Sequence, residues 1–386
     1  MSLIQPIGGT LVNREITKKS EINDILSHAV KNNLKKIEIS RETLLELECI
    51  ANGAFSPLIG FPTIHEIKCV MNTWRLSNGV PFGIPPIFPV SKEAYDKIKV
   101  GETLILIHDK KNVVLITVDG KSEFNKEKKE EFMKKIYRTN HPDHPGVKYI
   151  NHISDYLISG EINNFGEYLF FDEDSLSPRK CREEFEKRGW NTIALFSTTN
   201  VPHSAHEYLH RLGLDMCDGL MIHTLNMVSS HSSHKYDLET MKQGTKALVD
   251  NYYPTDHVIF TMLPIIAKSS GPREAVFQAV VRQNYGCTHF IMGRDHAGFR
   301  DVYGKYESQQ IFDKFPELKI KVIPVLSPSY CKKCKLIVTE KNCGHSEKDK
   351  EEISGTRVRQ LIKEKKEVPE FLMRKEVVDV IRKSMN

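Results

Sequence analysis

The second half of the chain alternates between short apolar segments and amphipathic helical segments. This alternation constrains the fold more than any other feature of the sequence. Strands that alternate with helices predict a parallel sheet flanked by helices. Ligands of such sheets bind outside the carboxyl ends of the strands. From about Tyr168 the segments are, in chain order, YLFF, SPRKCREEFEKRG, TIALFS, HSAHEYLHRLG, HVIFTML, GPREAVFQAVVRQNYG, THFIMG and IKVIPV.

The first half of the chain, up to about residue 165, has a mixed pattern with short strands. The stretch TLILIHDKKNVVLITVDG has two apolar runs around a polar turn and predicts a β-hairpin. The stretch IANGAFSPLIGFPT is interrupted by Gly and Pro and predicts a structured loop. A length of 386 residues allows two or three domains.

Charge and apolar content exclude two classes of partner. The 55 basic and 50 acidic residues give a net charge of +5, which is too balanced to indicate a nucleic-acid binder. The N-terminus lacks a secretory signal pattern, and no apolar run has the length that crosses a bilayer. Apart from one cluster, the eight cysteines stand singly, which is typical of a reducing compartment. We therefore expect a cytoplasmic protein that binds neither nucleic acid nor membrane.

Two histidines, His203 and His206, stand where a predicted strand gives way to a helix. Pro202 suits the first turn of that helix and Gly213 its C-terminal end. Free N–H groups and the helix dipole favour an anion at this end, and residues three apart share one helix face. Both rings can therefore point at one anionic ligand. The alternative interpretation is that the two histidines only cap or pack the helix.

The segment GRDHAG, residues 293–298, follows the predicted strand THFIM. Its glycines permit close backbone approach, and its other residues offer a cation, a carboxylate and an imidazole. At a strand end this composition suits an anion or a nucleotide. A polar loop with an internal pair between Arg294 and Asp295 is the alternative.

Arg273 lies near the start of the helix predicted for GPREAVFQAVVRQNYG, with Pro272 at its first position. The dipole disfavours a cation there, so Arg273 is expected to have an anionic partner. That partner is either Glu274 or another carboxylate.

The segment ISGTRVRQLIKEKKE begins at Ile353 and predicts another helix. Ser354 or Thr356 can cap it, and Arg359 falls on its first turn. It resembles the I-S-x-T-x-x-R signature of nucleotidylyltransferases, in which an H-x-x-H site on the first strand–helix turn is its partner. In those enzymes the hydroxyl, N–H and arginine groups hold the phosphates of the nucleotide.

The segment CKKCKLIVTEKNCGH has the spacing C-x2-C-x8-C-x-H. Three thiolates and one imidazole can close a tetrahedral Zn²⁺ site, and four protein ligands make such a site structural. Spare reduced cysteines are the alternative. The predicted ligands are Cys331, Cys334, Cys343 and His345.

Together these motifs resemble the ATP sulfurylase (sulfate adenylyltransferase) family in its zinc-containing bacterial and archaeal form. GGTLVNRE and IANGAFSPLIGF resemble its PUA-like N-terminal domain, and GPREAVFQAVVRQNYGCTHFIMGRDHAG resembles its longest signature. The resemblance implies an α/β chain with a PUA-like domain over residues 1–165, a Rossmann-like nucleotidylyltransferase domain over 166–326, and a zinc-containing C-terminal region over 327–386. It also implies a homo-oligomer, for which we favour a dimer.

The resemblance implies a reaction in which a sulfate oxygen attacks the α-phosphorus of ATP, releasing pyrophosphate and leaving adenylyl sulfate. Mg²⁺ would accompany the phosphates. The catalytic residues implied are Thr198, Asn200, His203 and His206. The nucleotide-binding residues implied are Asn200, His203, His206, Gly293, Arg294, Asp295, His296 and Arg359. The acceptor-binding residues implied are Ser197, Thr199 and Ala297.

The sequence departs from the family at the acceptor side. The family has Gln-Thr-Arg-Asn-Pro where this chain has Ser197 to Val201, so a glutamine and an arginine are missing. The family's His-Pro-Leu-Val-Gly stretch is also changed, from His223 onward, with extra histidines at 231 and 234. Arg273, Arg294 or the extra histidines are candidate replacements for the cation. Three functions stay open: a sulfate adenylyltransferase with an altered pocket, a nucleotidylyltransferase for a phosphate- or phosphoramidate-like acceptor, and a member without catalytic activity.

Overall fold

The computed structural model describes residues 3–225 and 236–385. Within them the N-terminal part contains α1 (Lys19–Lys31), β1 (Lys36–Glu38), α2 (Arg41–Ala51), β2 (Gly60–Phe61), α3 (Ile64–Thr73), β3 (Phe88–Pro89), α4 (Lys92–Lys97), β4 (Thr103–His108), β5 (Lys111–Glu123), α5 (Lys126–Tyr137), α6 (Pro145–His152) and β6 (Tyr156–Asn164). The next part contains α7 (Pro178–Lys187), β7 (Ile193–Thr198), α8 (Ser204–Met216), β8 (Gly219–Leu225), α9 (Leu238–Tyr252), β9 (Val258–Leu263), α10 (Pro272–Tyr285), β10 (His289–Met292), α11 (Glu307–Gln310) and β11 (Lys321–Pro324). The C-terminal elements are β12 (Ser329–Cys331), β13 (Leu336–Val338), β14 (Lys350–Glu352), α12 (Gly355–Lys363) and α13 (Lys375–Ser384).

A mixed sheet forms the N-terminal part, with the strand order β1-β4-β5-β6-β2 and β3 paired to β6. The predicted hairpin is confirmed, since β4 and β5 pair antiparallel from Thr103 with Thr117 to His108 with Lys111. The predicted loop at residues 50–63 is confirmed from residue 52 onward, where β2 is its two-residue strand, whereas Ile50 and Ala51 form the end of α2.

The second sheet has five strands in the order β11-β10-β7-β8-β9, and all its pairings are parallel. The predicted parallel sheet is therefore confirmed. The strand β8 lies inside this sheet and is buried along its whole length, although the sequence patterns did not predict it. Helix α9 after it was also missed.

The strand predicted at YLFF is wrong. Residues 168–171 form no strand, and the backbone N–H groups of Leu169 and Phe170 donate to the two carboxylate oxygens of Glu48, at 2.7 and 3.0 Å. A side chain on α2 thus supplies the acceptors that a neighbouring strand would have supplied. Burial of an apolar run does not by itself specify a strand.

The predicted ends of helix α8 are also wrong. The helix begins at Ser204, so Pro202 lies before the first turn, and it continues through Gly213 to Met216. A Cβ at Gly213 would lie 2.8 Å from Ile291 Cδ1 and 3.0 Å from Ala194 Cβ. The glycine therefore permits close packing of the helix on the sheet, and it does not end the helix.

Helix α10 is buried over its entire length and joins the two halves of the molecule. Its apolar side chains share one core with residues of the N-terminal part. The predicted Pro272 at its first position is confirmed, and Gly286 ends it with φ of +98°.

The predicted carboxylate partner of Arg273 is wrong. Its guanidinium donates to the carbonyl oxygens of Val70 and Gly83 at 3.0 and 3.1 Å and to that of Met71 at 2.6 Å. Two of these carbonyls belong to the last turn of α3, the negative end of that helix's dipole. Glu274 instead accepts from the N–H groups of Lys268 and Ser270.

The C-terminal elements complete the structure with a three-stranded sheet of order β13-β12-β14 and two helices. Val377 and Ile381 of α13 share a core with Met241 and Leu248 of α9. Within residues 3–225 and 236–385, no helix combines the length and apolar character needed to cross a membrane.

Candidate active site

A cleft of about 570 Å³ lies at the carboxyl edge of the parallel sheet. The predicted residues His203, His206, Gly293 and Arg294 all line it. The strand–helix turn after β7 and the loop after β10 therefore meet at one cleft, as the resemblance implied. The positions of His231 and His234 lie outside the described residues.

His203 and His206 stack in parallel, with ring centroids 3.8 Å apart and an interplanar angle of 17°. Burial lowers the pKa of His203 to about 4 and holds that of His206 well below its usual value. Both rings are therefore neutral at pH 7. His203 occupies the N-cap position of α8, but its side chain makes no capping hydrogen bond, and Nδ1 of each ring has no partner within the described residues. These imidazoles are thus able to hydrogen-bond a ligand, and capping does not explain them.

Helix α12 begins directly beside this pair. A Cβ built on Gly355, its first residue, would lie 3.9 Å from Cδ2 of His203 and 3.3 Å from Nη1 of Arg359. The predicted cap is confirmed, because Oγ of Ser354 accepts from the N–H of Arg357. Arg359 donates to Thr356 Oγ1 at 2.9 Å, while its Nη1 is buried without a partner in the described chain. The two predicted halves of the nucleotidylyltransferase motif are therefore adjacent.

The GRDHAG loop combines an ion pair with strained backbone. Arg294 Nε lies 2.8 Å from a carboxylate oxygen of Asp295, as the alternative interpretation proposed. Asp295 and Ala297 both have φ of +54°, a conformation that costs free energy in residues with a Cβ. His296 is half-buried, with its Nε2 at 3.1 Å from Oε1 of Gln278, and desolvation of the ring lowers its pKa to about 4. The carbonyl oxygen of Ala297 accepts from the N–H of Gly271, which ties the loop to the start of α10.

The divergent stretch after β7 forms a short turn. Oγ1 of Thr198 accepts a hydrogen bond from the N–H of Asn200 at 3.1 Å. Ser197, Thr199 and Asn200 are half-buried.

The described cation that bonds to this stretch is Arg282 of α10, which the sequence analysis did not single out. Its Nη2 donates to Ser197 Oγ at 2.9 Å. The arginine is fully buried, and burial lowers its pKa to about 10. A sequence signal existed, because Arg282 directly follows the largely apolar run AVFQAVV of a predicted helix. Helical periodicity does not distinguish a functional buried arginine from one on a solvated face.

The four predicted metal ligands converge within 4.8 Å of one another. The Sγ atoms of Cys334 and Cys343 are 3.7 Å apart, and His345 Nδ1 lies 3.2 to 3.5 Å from the three sulfur atoms. A tetrahedron with Zn–S bonds of about 2.3 Å has sulfur–sulfur edges of about 3.8 Å. The donor set and its spacing thus fit one tetrahedral Zn²⁺.

The metal-ligand cluster packs against the cleft. Asn342 donates to the hydroxyl of Tyr208 on α8 at 2.9 Å, and Glu340, Glu347 and Lys350 from the same region line the cleft. The cluster therefore positions part of the cleft wall as well as closing its own loop.

A parallel sheet with an H-x-x-H pair on one strand–helix turn, a facing ISGTxxR helix and a GRDH loop defines an α/β nucleotidylyltransferase. The ATP-sulfurylase family model matches residues 172–384, and the PUA-like domain model matches residues 4–167. The chain belongs to the ATP-sulfurylase family.

Relatives match over nearly the whole chain. A sulfate adenylyltransferase of Staphylothermus marinus is 39% identical over 98% of this chain and 97% of its own length. Those of Pyrococcus abyssi and Halothermothrix orenii are each 36% identical, over 98% and 99% of this chain and 97% and 100% of their own. Among solved structures, a hexameric APS kinase from Thiobacillus denitrificans superposes with a TM-score of 0.77 at 19% identity, covering 99% of this chain and 68% of that one. This last likeness concerns the fold alone.

Proposed function

We propose that the protein is a sulfate adenylyltransferase, which joins sulfate to the adenylyl group of ATP and releases pyrophosphate. The observation that carries the proposal is the convergence of the stacked His203–His206 pair with the N-terminus of α12 in one cleft. Two helix N-termini meet there, and the positive end of a helix dipole favours phosphate oxygens. Family membership and the full-length relatives named sulfate adenylyltransferase support the same reaction.

On the nucleotide side, the protein aligns phosphates and hydrogen-bonds their oxygen atoms. His203 and His206 are neutral, so each presents a ring N–H donor without changing the net charge of the cleft. Arg359, with its free Nη1, and Arg294 supply positive charge. Groups that are already oriented stabilise the charge that develops as pyrophosphate leaves, at no reorganisation cost. Asn200 and the GRDHAG loop are proposed to contact the nucleoside.

We propose two metals with separate roles. Zn²⁺ on Cys331, Cys334, Cys343 and His345 would be structural, because four protein ligands leave no open position. Mg²⁺ would arrive on the phosphates of ATP, since this ion is commonly held by substrate phosphates and water. It would neutralise phosphate charge there.

On the acceptor side, Ser197, Thr199 and the N–H of Ala297 are proposed to contact the oxyanion. A second candidate function is favoured by one observation, namely that the turn after β7 carries hydroxyls where the family has a glutamine and an arginine. A nucleotidylyltransferase for a phosphate- or phosphoramidate-like acceptor would suit this turn. A homodimer in the cytoplasm and a division of the chain at residues 165 and 326 remain proposals.

The test is pyrophosphate release from ATP with sulfate, phosphate and phosphoramidate as separate acceptors. We expect release with sulfate, and we expect His203→Ala and His206→Ala each to lower turnover by about 100-fold or more. His210→Ala is the matched control, since His210 is buried one turn further along α8 and bonds to Tyr253 at 2.9 Å. It should lower stability and leave turnover per folded molecule near that of the parent. Equal activity of the parent and both histidine variants would contradict the proposal, and release only with another acceptor would favour the second candidate.

A further inference from the structure

Helix α10 carries two buried arginines that differ in how their N–H groups are satisfied. Arg273 donates to three carbonyl oxygens and lies over the Trp74 ring at 4.3 Å. Arg282 is 0% exposed, and among the described residues it donates to Ser197 alone, through Nη2. Its Nε and Nη1 are enclosed and have no partner among the residues that the structure describes. An unsatisfied charged donor in the interior is costly, so it needs a ligand or another reason to exist.

The charge of Arg282 is also unbalanced. Within residues 3–225 and 236–385 no carboxylate forms an ion pair with it, and the sequence of residues 226–235 contains no acidic residue. Glu274, two turns away on α10, is already engaged by the N–H groups of Lys268 and Ser270. Burial, with a smaller contribution from the positive charge of Arg282, lowers the pKa of His223 and of His296. Both rings are thus neutral, and within the described chain the buried guanidinium forms no ion pair with a carboxylate.

The guanidinium lies beneath the carboxyl edge of the sheet. Ser197 and His223 are register partners on β7 and β8, and His296 belongs to the loop that follows β10. Both ring nitrogens of His223 are buried without a partner in the part of the chain that the structure describes. Unpartnered side chains of two elements, Arg282 on α10 and His223 on β8, therefore lie beside Ser197 of β7 at the edge where ligands of parallel sheets bind.

We propose that Arg282, with the Ser197 hydroxyl and the His223 imidazole, binds the acceptor oxyanion from beneath the sheet edge. This inference rests on the proposed function and names the cation for its acceptor. A divalent tetrahedral anion accepts several hydrogen bonds and supplies the negative charge that would balance the guanidinium of Arg282. The missing arginine of the turn at Thr199 is then replaced from helix α10. Arg273 is excluded from this role because its guanidinium is fully engaged.

The first experiment removes the charge with little change of volume, by Arg282→Met. Thermal unfolding is followed in a buffer without oxyanions, with added sodium sulfate, and with sulfate plus a non-hydrolysable ATP analogue. We expect the variant to unfold at the same or a higher temperature than the parent in the first buffer, because it loses an uncompensated buried charge. We expect sulfate to stabilise the parent and to have no effect on the variant. A large destabilisation with retained sulfate stabilisation would overturn the proposal and make Arg282 structural.

The second experiment uses kinetics with Arg282→Lys, which keeps the charge but loses the planar set of donors. We expect the acceptor KM to rise about 10- to 100-fold, the loss for one charged hydrogen bond, with the ATP KM within about threefold of the parent value. Arg182→Lys is the matched control. Arg182 donates to the carbonyl oxygens of Ile4, Gln283 and Asn284, so its variant should lose stability without a change in acceptor KM.

The outcomes separate this inference from the proposed function. If the parent releases pyrophosphate with sulfate and Arg282→Lys leaves the sulfate KM unchanged, the function stands and the inference fails. If the parent releases no pyrophosphate but its sulfate stabilisation disappears in Arg282→Met, the anion site stands and the function fails. If sulfate stabilises the parent neither alone nor together with the ATP analogue, the inference is wrong.

Discussion

Replacement of Arg273 by methionine should destabilise the protein strongly, because this arginine joins the two halves of the molecule. Its guanidinium binds the carbonyl oxygens of Val70, Met71 and Gly83, and it stacks on Trp74. Each charged hydrogen bond contributes about 1.5–3 kcal/mol, and the variant leaves three carbonyl groups without this donor. Because such contributions are not additive, we expect a total loss of about 3–5 kcal/mol.

The assay is thermal unfolding at pH 7 followed by circular dichroism and by tryptophan fluorescence, which reports on Trp74 and Trp190. For a chain of 386 residues the loss corresponds to a fall of about 4–6 °C in Tm. Arg75→Met is the matched control, because Arg75 spans the same junction through a partly exposed pair with Glu317 at 3.0 Å. That pair should contribute about 1 kcal/mol or less.

The reasoning would be refuted by a Tm within about 3 °C of the parent for Arg273→Met. It would also be refuted if Arg273→Met kept the stability of the parent and raised the acceptor KM, because Arg273 would then bind the acceptor. Arg273→Met is expected to lower Tm, whereas Arg282→Met is expected to keep or raise it in a buffer without oxyanions, so the two variants are informative together. One arginine is satisfied by the fold, and the other is satisfied only with an anion bound.

Three further predictions concern the metal, the acceptor and pH. Removal of zinc by a chelator, or Cys334→Ser, should lower Tm and also raise the ATP KM, because residues next to the metal ligands line the cleft. Elemental analysis that finds no zinc in the purified protein would contradict the zinc site. A Ser197→Gln, Thr199→Arg double variant should gain activity with sulfate and lose activity with another acceptor, as measured by pyrophosphate release. If the parent already uses sulfate well and the double variant gains nothing, other residues compensate for the missing glutamine and arginine. Burial lowers the folded-state pKa of His210 to about 3, so its contribution to the free energy of unfolding is full above pH 6.5 and is lost as the pH decreases toward 3. His210→Gln should therefore reduce the pH dependence of the unfolding free energy by about 1.4 kcal/mol per pH unit, measured by urea unfolding between pH 6.5 and 4.5. An unchanged pH dependence would show that His210 is not its source.

Local patterns predicted the features that depend on neighbouring residues. The hairpin of β4 and β5, the parallel sheet, and the caps of α10 and α12 follow from periodicity and from Pro, Gly and Ser at element ends. The convergence of the three cysteines with His345 follows from short spacing, because a loop of this length keeps its ligands close together. Periodicity failed at YLFF because Glu48, distant in sequence, provides the hydrogen-bond acceptors there.

By itself the sequence determined that this chain is an α/β nucleotidylyltransferase with a compact Cys3His cluster, because residue type, spacing and chain order specify those features. Only the tertiary structure decided what each buried arginine does. Arg273 and Arg282 lie on one helix, and no local pattern separates them. Their roles differ because α3 brings carbonyl oxygens to the first, whereas β7 brings a single hydroxyl to the second. Which groups surround a charge depends on contacts between segments far apart in the chain, and these contacts exist only after folding.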